Sequence, residues 1–187
     1  MNTVLKTNAE RSSIRLYTSE KLTDEQIHIL VKAGLEAPTA RNEQEIHISV
    51  LDGSHPILKE IDNEKRLLQL ENADEKKKKD ILNNPHNFYY EAPTVLILSG
   101  DKNFPWSHVD AGIAVENIAL AAQSLDLGSV ILGIIKNAML GDKKDYFAKV
   151  CQIPENYEFI IAIAVGHPNI EKQQHNIDFE KSVSIIK

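Results

Sequence analysis

Hydrophobic and polar positions along this chain repeat with two different periods, and the switches between them mark out its elements. Ile27, Leu30, Val31 and Leu35 fall three or four residues apart, which predicts an amphipathic helix opened by a capping box, Thr23 with Gln26. Gly34 weakens that helix late and Pro38 stops it. From Ile46 to Leu51 the period drops to two, the mark of a strand, closed by the turn Asp52-Gly53. Ser54 as cap and Pro56 in the first turn then announce another helix. Thr94 to Ser99 is a short unbroken apolar run, as in a strand buried on both faces. From Asp110 to Leu125 the pattern is helical and apolar almost all round, so it needs cover on several sides, some of it expected from a second subunit. Strand patterns follow at Ser129–Ile134 and Phe159–Val165, with a helix around Asp142–Val150 between them, and Ser182–Ile186 alternates like a final strand. Residues 62–91 are polar and Lys/Glu-rich, and predict one or two exposed helices ending near Asn83-Asn84-Pro85. An excursion of that kind is expected to serve as a helical lid over a site. Strand runs separated by helices, without an internal repeat, point to α/β layering around a central sheet.

Composition narrows this little. The 187 residues are enough for one domain with a real core, and 42% hydrophobic with 26% charged residues is ordinary for a globular protein. A net charge of -6 gives no global support to nucleic-acid binding. The Lys76–Lys79 run is flanked by Glu71, Asp74, Glu75 and Asp80, as on a solvated helix face. Cys151 is the only cysteine, which rules out an intrachain disulfide or a cysteine-rich metal site. No apolar run suits a signal peptide or a membrane span, so the expected compartment is the cytoplasm.

Most catalytic signatures are missing. There is no Gly-x-Ser-x-Gly elbow, no Gly-x-Gly-x-x-Gly fingerprint and no Gly-Lys-Ser/Thr loop, and the seven histidines lack metal-site spacing. His108 and Asp110, two apart before a helix, read as capping rather than as a metal pair. What remains is Arg11-Ser12-Ser13-Ile14-Arg15. Two guanidinium groups with two hydroxyls between them form a compact set of donors suited to a dianionic phosphate, with a solvated basic turn as the competing reading. One helix later comes Ala37-Pro38-Thr39-Ala40-Arg41-Asn42-Glu43-Gln44.

In that order and at that distance, the two segments resemble the FMN-dependent nitroreductase family. The resemblance extends through Asp110, Gly112, Asn117 and Gly128, through Ile153-Pro154-Glu155, and to Val165-Gly166-His167-Pro168. It implies an α+β sandwich with a mostly antiparallel central sheet flanked by helices, assembled as an intertwined homodimer. It also implies a ping-pong oxidoreductase in which NADH or NADPH reduces FMN and a nitroaromatic, quinone or similar small acceptor takes the electrons. The implied cofactor contacts are Arg11, Ser12, Ser13 and Arg15 at the phosphate and pyrimidine edge, and Pro38, Thr39, Ala40 and Asn42 from the partner subunit. Asn84 and Asn87 stand where relatives place polar flavin contacts, with loop capping as the competing reading. Gln44 is open between a cofactor contact and turn stabilisation. Leu132-Gly133-Ile134 falls where a backbone N–H approaches flavin N5, although Gly133 also suits a strand bulge. The cofactor carries the chemistry, so no acid, base or nucleophile of the protein is called for.

Three departures matter. Glu45-Ile46 replaces Pro-Trp, Asp126 replaces the first glycine of Gly-Leu-Gly, and Gln173-Gln174-His175-Asn176 stands where relatives often carry Arg or Lys for the phosphate. Lys172 and Lys181 are the substitutes at hand, and Phe88, Tyr89 and Tyr90 either shape the substrate side or fill the core. Specialised flavin chemistry without NAD(P)H, or a flavin-free α/β binding module, are the alternatives.

Overall fold

A computed structural model of the chain describes residues 2–174 and 176–186. Four strands, β1 (His47–Asp52), β2 (Thr94–Asp101), β3 (Gly128–Leu132) and β4 (Tyr157–Gly166), form one sheet in the order β1-β2-β4-β3 with every ladder antiparallel. β2 and β4 lie at its centre, and their runs of Val, Leu, Ile and Ala are almost wholly buried, as strands covered on both faces require.

Each face has its own helical layer. Leu96, Leu98, Ile163 and Val165 pack under α2 (Asp24–Leu35) and α5 (Ser107–Ser124). Val95, Ile97, Ala162 and Ala164 pack under α3 (Pro56–Glu71), α6 (Lys136–Met139) and α7 (Lys144–Val150). The apolar circumference of α5 is mostly used inside the chain, although Val109 and Ile113 remain exposed. α1 (Thr3–Glu10) rests on α5 without burying a single residue, α4 (Glu75–Asn83) leans on α3, and α8 (Phe179–Ser182) lies in the exposed tail.

Several sequence expectations are corrected. The cap of α3 is His55, whose Nδ1 accepts from the Ile57 N–H, because Ser54 spends its hydroxyl on Asp52 Oδ1. α5 begins at Ser107, so Asp110 lies in its first turn, where its carboxylate accepts from the Ala40 N–H instead of capping the helix. Ser182 closes a helical turn, and Val183–Ile186 pair with no strand among the described residues, so the tail is not a strand within this chain. No helix among the described residues is long and apolar enough to cross a membrane.

Candidate cofactor site

The segment after α1 is extended and docks on the free edge of β3. Ser13 bridges Ser129 in parallel, the Ile14 N–H donates to the Ser129 carbonyl, and the Thr18 N–H donates to His167. Tyr17 holds the run down from below. Its buried hydroxyl donates to the Ile14 carbonyl at 2.7 Å, and burial pushes its pKa well above the phenolic range. Gly128 makes the close approach possible, since a Cβ there would stand 2.9 Å from the Ile14 side chain.

Extended backbone alternates sides, and here the alternation sorts the donors. Ser12 and Ile14 face inward and are buried, while Arg11, Ser13 and Arg15 share the outward side. Ser12 lines a cleft together with Glu10, Asp126, Glu171 and Lys172. Arg11 is oriented by Glu116 of α5, which takes its Nε at 3.2 Å and leaves the two terminal nitrogens of the fork available. Arg15 lies 5.8 Å above the Tyr90 ring, within reach of a cation–π contact. Lys172 completes the group, with its Nζ 2.6 Å from the Ser13 carbonyl. Gln173, Gln174 and Asn176 are exposed, and His175 lies outside the described residues.

Running parallel to β3, the same segment carries Arg15 toward the strand's exit at Leu132-Gly133-Ile134. Leu132 is buried, while Gly133 and Ile134 are exposed. Gly133 is no bulge but the first residue beyond the strand, and a Cβ there would meet only Ile161, at 3.6 Å. Among the described residues, neither the Gly133 nor the Ile134 N–H donates to the protein. Outward cations at one end and open backbone donors at the other suit a flat phosphorylated ligand laid along the strand edge.

The second motif lies elsewhere. Pro38–Gln44 precedes β1, the edge strand opposite β3, and its Ala40 N–H meets Asp110 on the same helix whose Glu116 engages Arg11. Its chain turns sharply, with Arg41, Asn42 and Gln44 all at positive φ near 50–58°. Thr39 Oγ1 accepts from the Gln44 N–H, which ties Gln44 into the turn through its backbone, while Pro38 and Asn42 present exposed side chains. Glu45 closes the turn in a buried position beside Asp110, and among the described residues its carboxyl oxygens meet no donor in full hydrogen-bond geometry. Desolvation, followed by the Asp110 and Glu43 charges, raises its pKa.

The loop before β2 is self-contained. Asn84 Oδ1 accepts from the His86 N–H, and Asn87 Oδ1 accepts from Tyr89 and Glu91 while its amide donates to Glu91 Oε1. Both side chains are therefore engaged within the loop. Phe88 and Tyr89 are buried core residues, and only Tyr90 reaches the site. Arg66 pins this loop, donating to the Ile81, Asn84 and His86 carbonyls. Asp62 ties it down again by accepting from the Phe88 N–H, and both anchors were invisible to sequence reasoning. No group of His, Cys, Asp and Glu suited to a metal is present among the described residues. Cys151 is buried, which pushes its thiol up to about 11 and leaves it unreactive.

The sequence profile of the nitroreductase family matches residues 9–167, which takes in the cationic segment, the turn before β1 and all four strands. The chain belongs to the nitroreductase family. Among its nitroreductase relatives is a protein of Archaeoglobus fulgidus named for NADH dehydrogenase and NAD(P)H nitroreductase activity, 28% identical over 182 residues and covering 95% of this chain and 92% of its own. An FMN reductase [NAD(P)H] of Bacillus subtilis is 28% identical over 180 residues, 90% of this chain and 67% of that protein. The crystal structure of a nitroreductase with bound FMN from Desulfitobacterium hafniense superposes with a TM-score of 0.90 over 100% of both chains at 28% identity. The nitroreductase fold expected from the sequence is thus the fold observed.

Proposed function

We propose that this nitroreductase-family protein is an FMN-dependent NAD(P)H oxidoreductase that passes electrons to a small organic acceptor. One observation carries the reading: Arg11, Ser13 and Arg15 point outward from a single extended run, joined by Lys172 and aligned with the open Gly133 backbone. In this reading Arg11, Ser13 and Lys172 hold the phosphate, and Lys172 takes over the role left vacant by the residue 173–176 stretch. Arg15 lies toward the pyrimidine edge, where a positive charge favours the reduced ring, and the Gly133 N–H serves N5. FMN, when bound, supplies the electron transfer.

The protein acts as a homodimer in this reading: Pro38, Thr39, Ala40 and Asn42 precede the edge strand opposite the one on which Arg11–Arg15 docks, and a second copy brings the two sets to one site. The exposed apolar residues of α5 and of the tail support the same assembly. Asn84 and Asn87 serve the site by shaping the loop that carries Tyr90. A cytoplasmic setting, with NAD(P)H at hand, completes the picture.

The visible spectrum of the purified protein tests this reading. Flavin absorbance at about one FMN per chain, bleached by NADH or NADPH under anaerobic mixing, is the expected result. Colourless protein that takes up no added FMN sinks the cofactor assignment, and bound flavin that neither nucleotide bleaches sinks the reaction.

A further inference from the structure

α3 carries an unusual set of buried charges. Asp62 and Lys65 are each 6% exposed, and Asp62 accepts from Lys65 Nζ at 2.7 Å, from Arg66 Nε at 2.8 Å and from the Phe88 N–H at 2.9 Å. One carboxylate thus faces two cations, which leaves an excess positive charge in a poorly solvated place. Arg66 directs its remaining donors to the Ile81, Asn84 and His86 carbonyls. Lys65 does not. An ammonium has three donors, and among the described residues Asp62 is the only acceptor of Lys65.

Lys65 also lines a cleft of about 470 Å³ between α3, α4 and the turn after β3. Lys77, Gln69 and Asn137 line the same space, as does Asn72, whose amide donates to the Leu68 carbonyl, and Ile134, one residue beyond Gly133, supplies part of its apolar wall. Asp80 is the one carboxylate in the lining. A buried ammonium with unfilled donors is costly unless an acceptor meets it, and an anionic oxygen would answer both the donors and the excess charge.

We infer that this cleft is a binding site for a planar acceptor bearing a carboxylate, seated with the carboxylate on Lys65 and Lys77 and the ring against Ile134. The inference names the acceptor class for the function proposed above and rests on that reading for the acceptor's fate, but not for its binding. It also gives residues 62–91 a task beyond covering a site: the segment supplies the charge that selects the ligand.

The test compares benzoate with benzamide, which have the same shape and differ in charge. Binding to the FMN-loaded protein is followed by perturbation of flavin absorbance, and binding to protein without added flavin by ligand-observed NMR. Benzoate is expected to bind at least tenfold tighter in both measurements. Lys77→Met should cut that preference several-fold, and Lys65→Met should abolish it while benzamide affinity stays put. Equal affinities in the unsubstituted protein overturn the inference without need of any variant that fails to fold. So does a preference that survives Lys65→Met and disappears in Arg11→Ala, which would assign the anion to the phosphate donors. If the protein takes up no FMN yet still selects benzoate by NMR, the cofactor reading falls and the cleft stands.

Discussion

Arg11 is held by one edge and free at the other. Glu116 engages its Nε, so in the proposed role the fork would meet a phosphate already oriented, with little rotamer freedom left to lose. Removing it should cost about 1.5–3 kcal/mol, or roughly a 10- to 150-fold rise in the FMN dissociation constant. Titration of flavin-depleted Arg11→Ala protein reads this directly. Riboflavin, which lacks the phosphate, should bind the variant and the parent alike. At Glu45 the linkage runs the other way from that of a salt-bridged acid. Its folded pKa lies above the ordinary 4.5, so the native state holds the proton more tightly than the unfolded chain. Its stability contribution is complete below that ordinary value and is lost as pH rises through the folded one. Urea midpoints from pH 5 to 8 should therefore fall less in Glu45→Gln than in the parent. An identical slope in both proteins would falsify the shared burial of Glu45 and Asp110.

At the scale of elements, the α3–α4 excursion depends on its charges. Asp62→Ala strands the Lys65 ammonium and releases the Phe88 N–H, and losing one partner of a buried pair costs about 3–5 kcal/mol. The denaturant midpoint should drop accordingly, with amide exchange rising first across residues 81–91, which Arg66 no longer fixes as firmly. That dependence explains what the sequence could and could not disclose. Period and capping residues revealed α2, α5 and the four strands, because burial on a known face writes itself into spacing. Asp62 and Lys65 read as surface residues, since a charge buried with its partner has the same local pattern as one in water. α1 and α6 left no signal: the first buries nothing, and the second is a single turn shorter than any helical period can show. The tail misled for a related reason, its alternation having no partner strand within this chain. Around the candidate site, the sequence marked Arg11, Ser12, Ser13 and Arg15 as one donor set, but not the extended backbone that turns Ser12 inward and the other three outward. Lys172 was a candidate beside Lys181, but its placement was not legible, because only the docking of two segments 159 residues apart brings it to Ser13.

For the whole molecule the arrangement of edges is decisive. β1 and β3 bound the sheet on opposite sides, with Pro38–Asn42 before the first and Arg11–Arg15 docked on the second. Light scattering at micromolar concentration should return twice the 21.0 kDa chain mass, and a monodisperse monomer would dismiss the dimer. The docking of Arg11–Arg15 onto β3 and of Tyr17 onto Pro168 also bears on biosynthesis. The Arg11–Arg15 run is synthesised well before the strand it leans on and the lysine that joins it. At about 5–20 residues per second, roughly 8–30 s separate the synthesis of Arg15 from that of Lys172. A nascent chain therefore carries the Arg11–Arg15 run undocked until those later segments have been made.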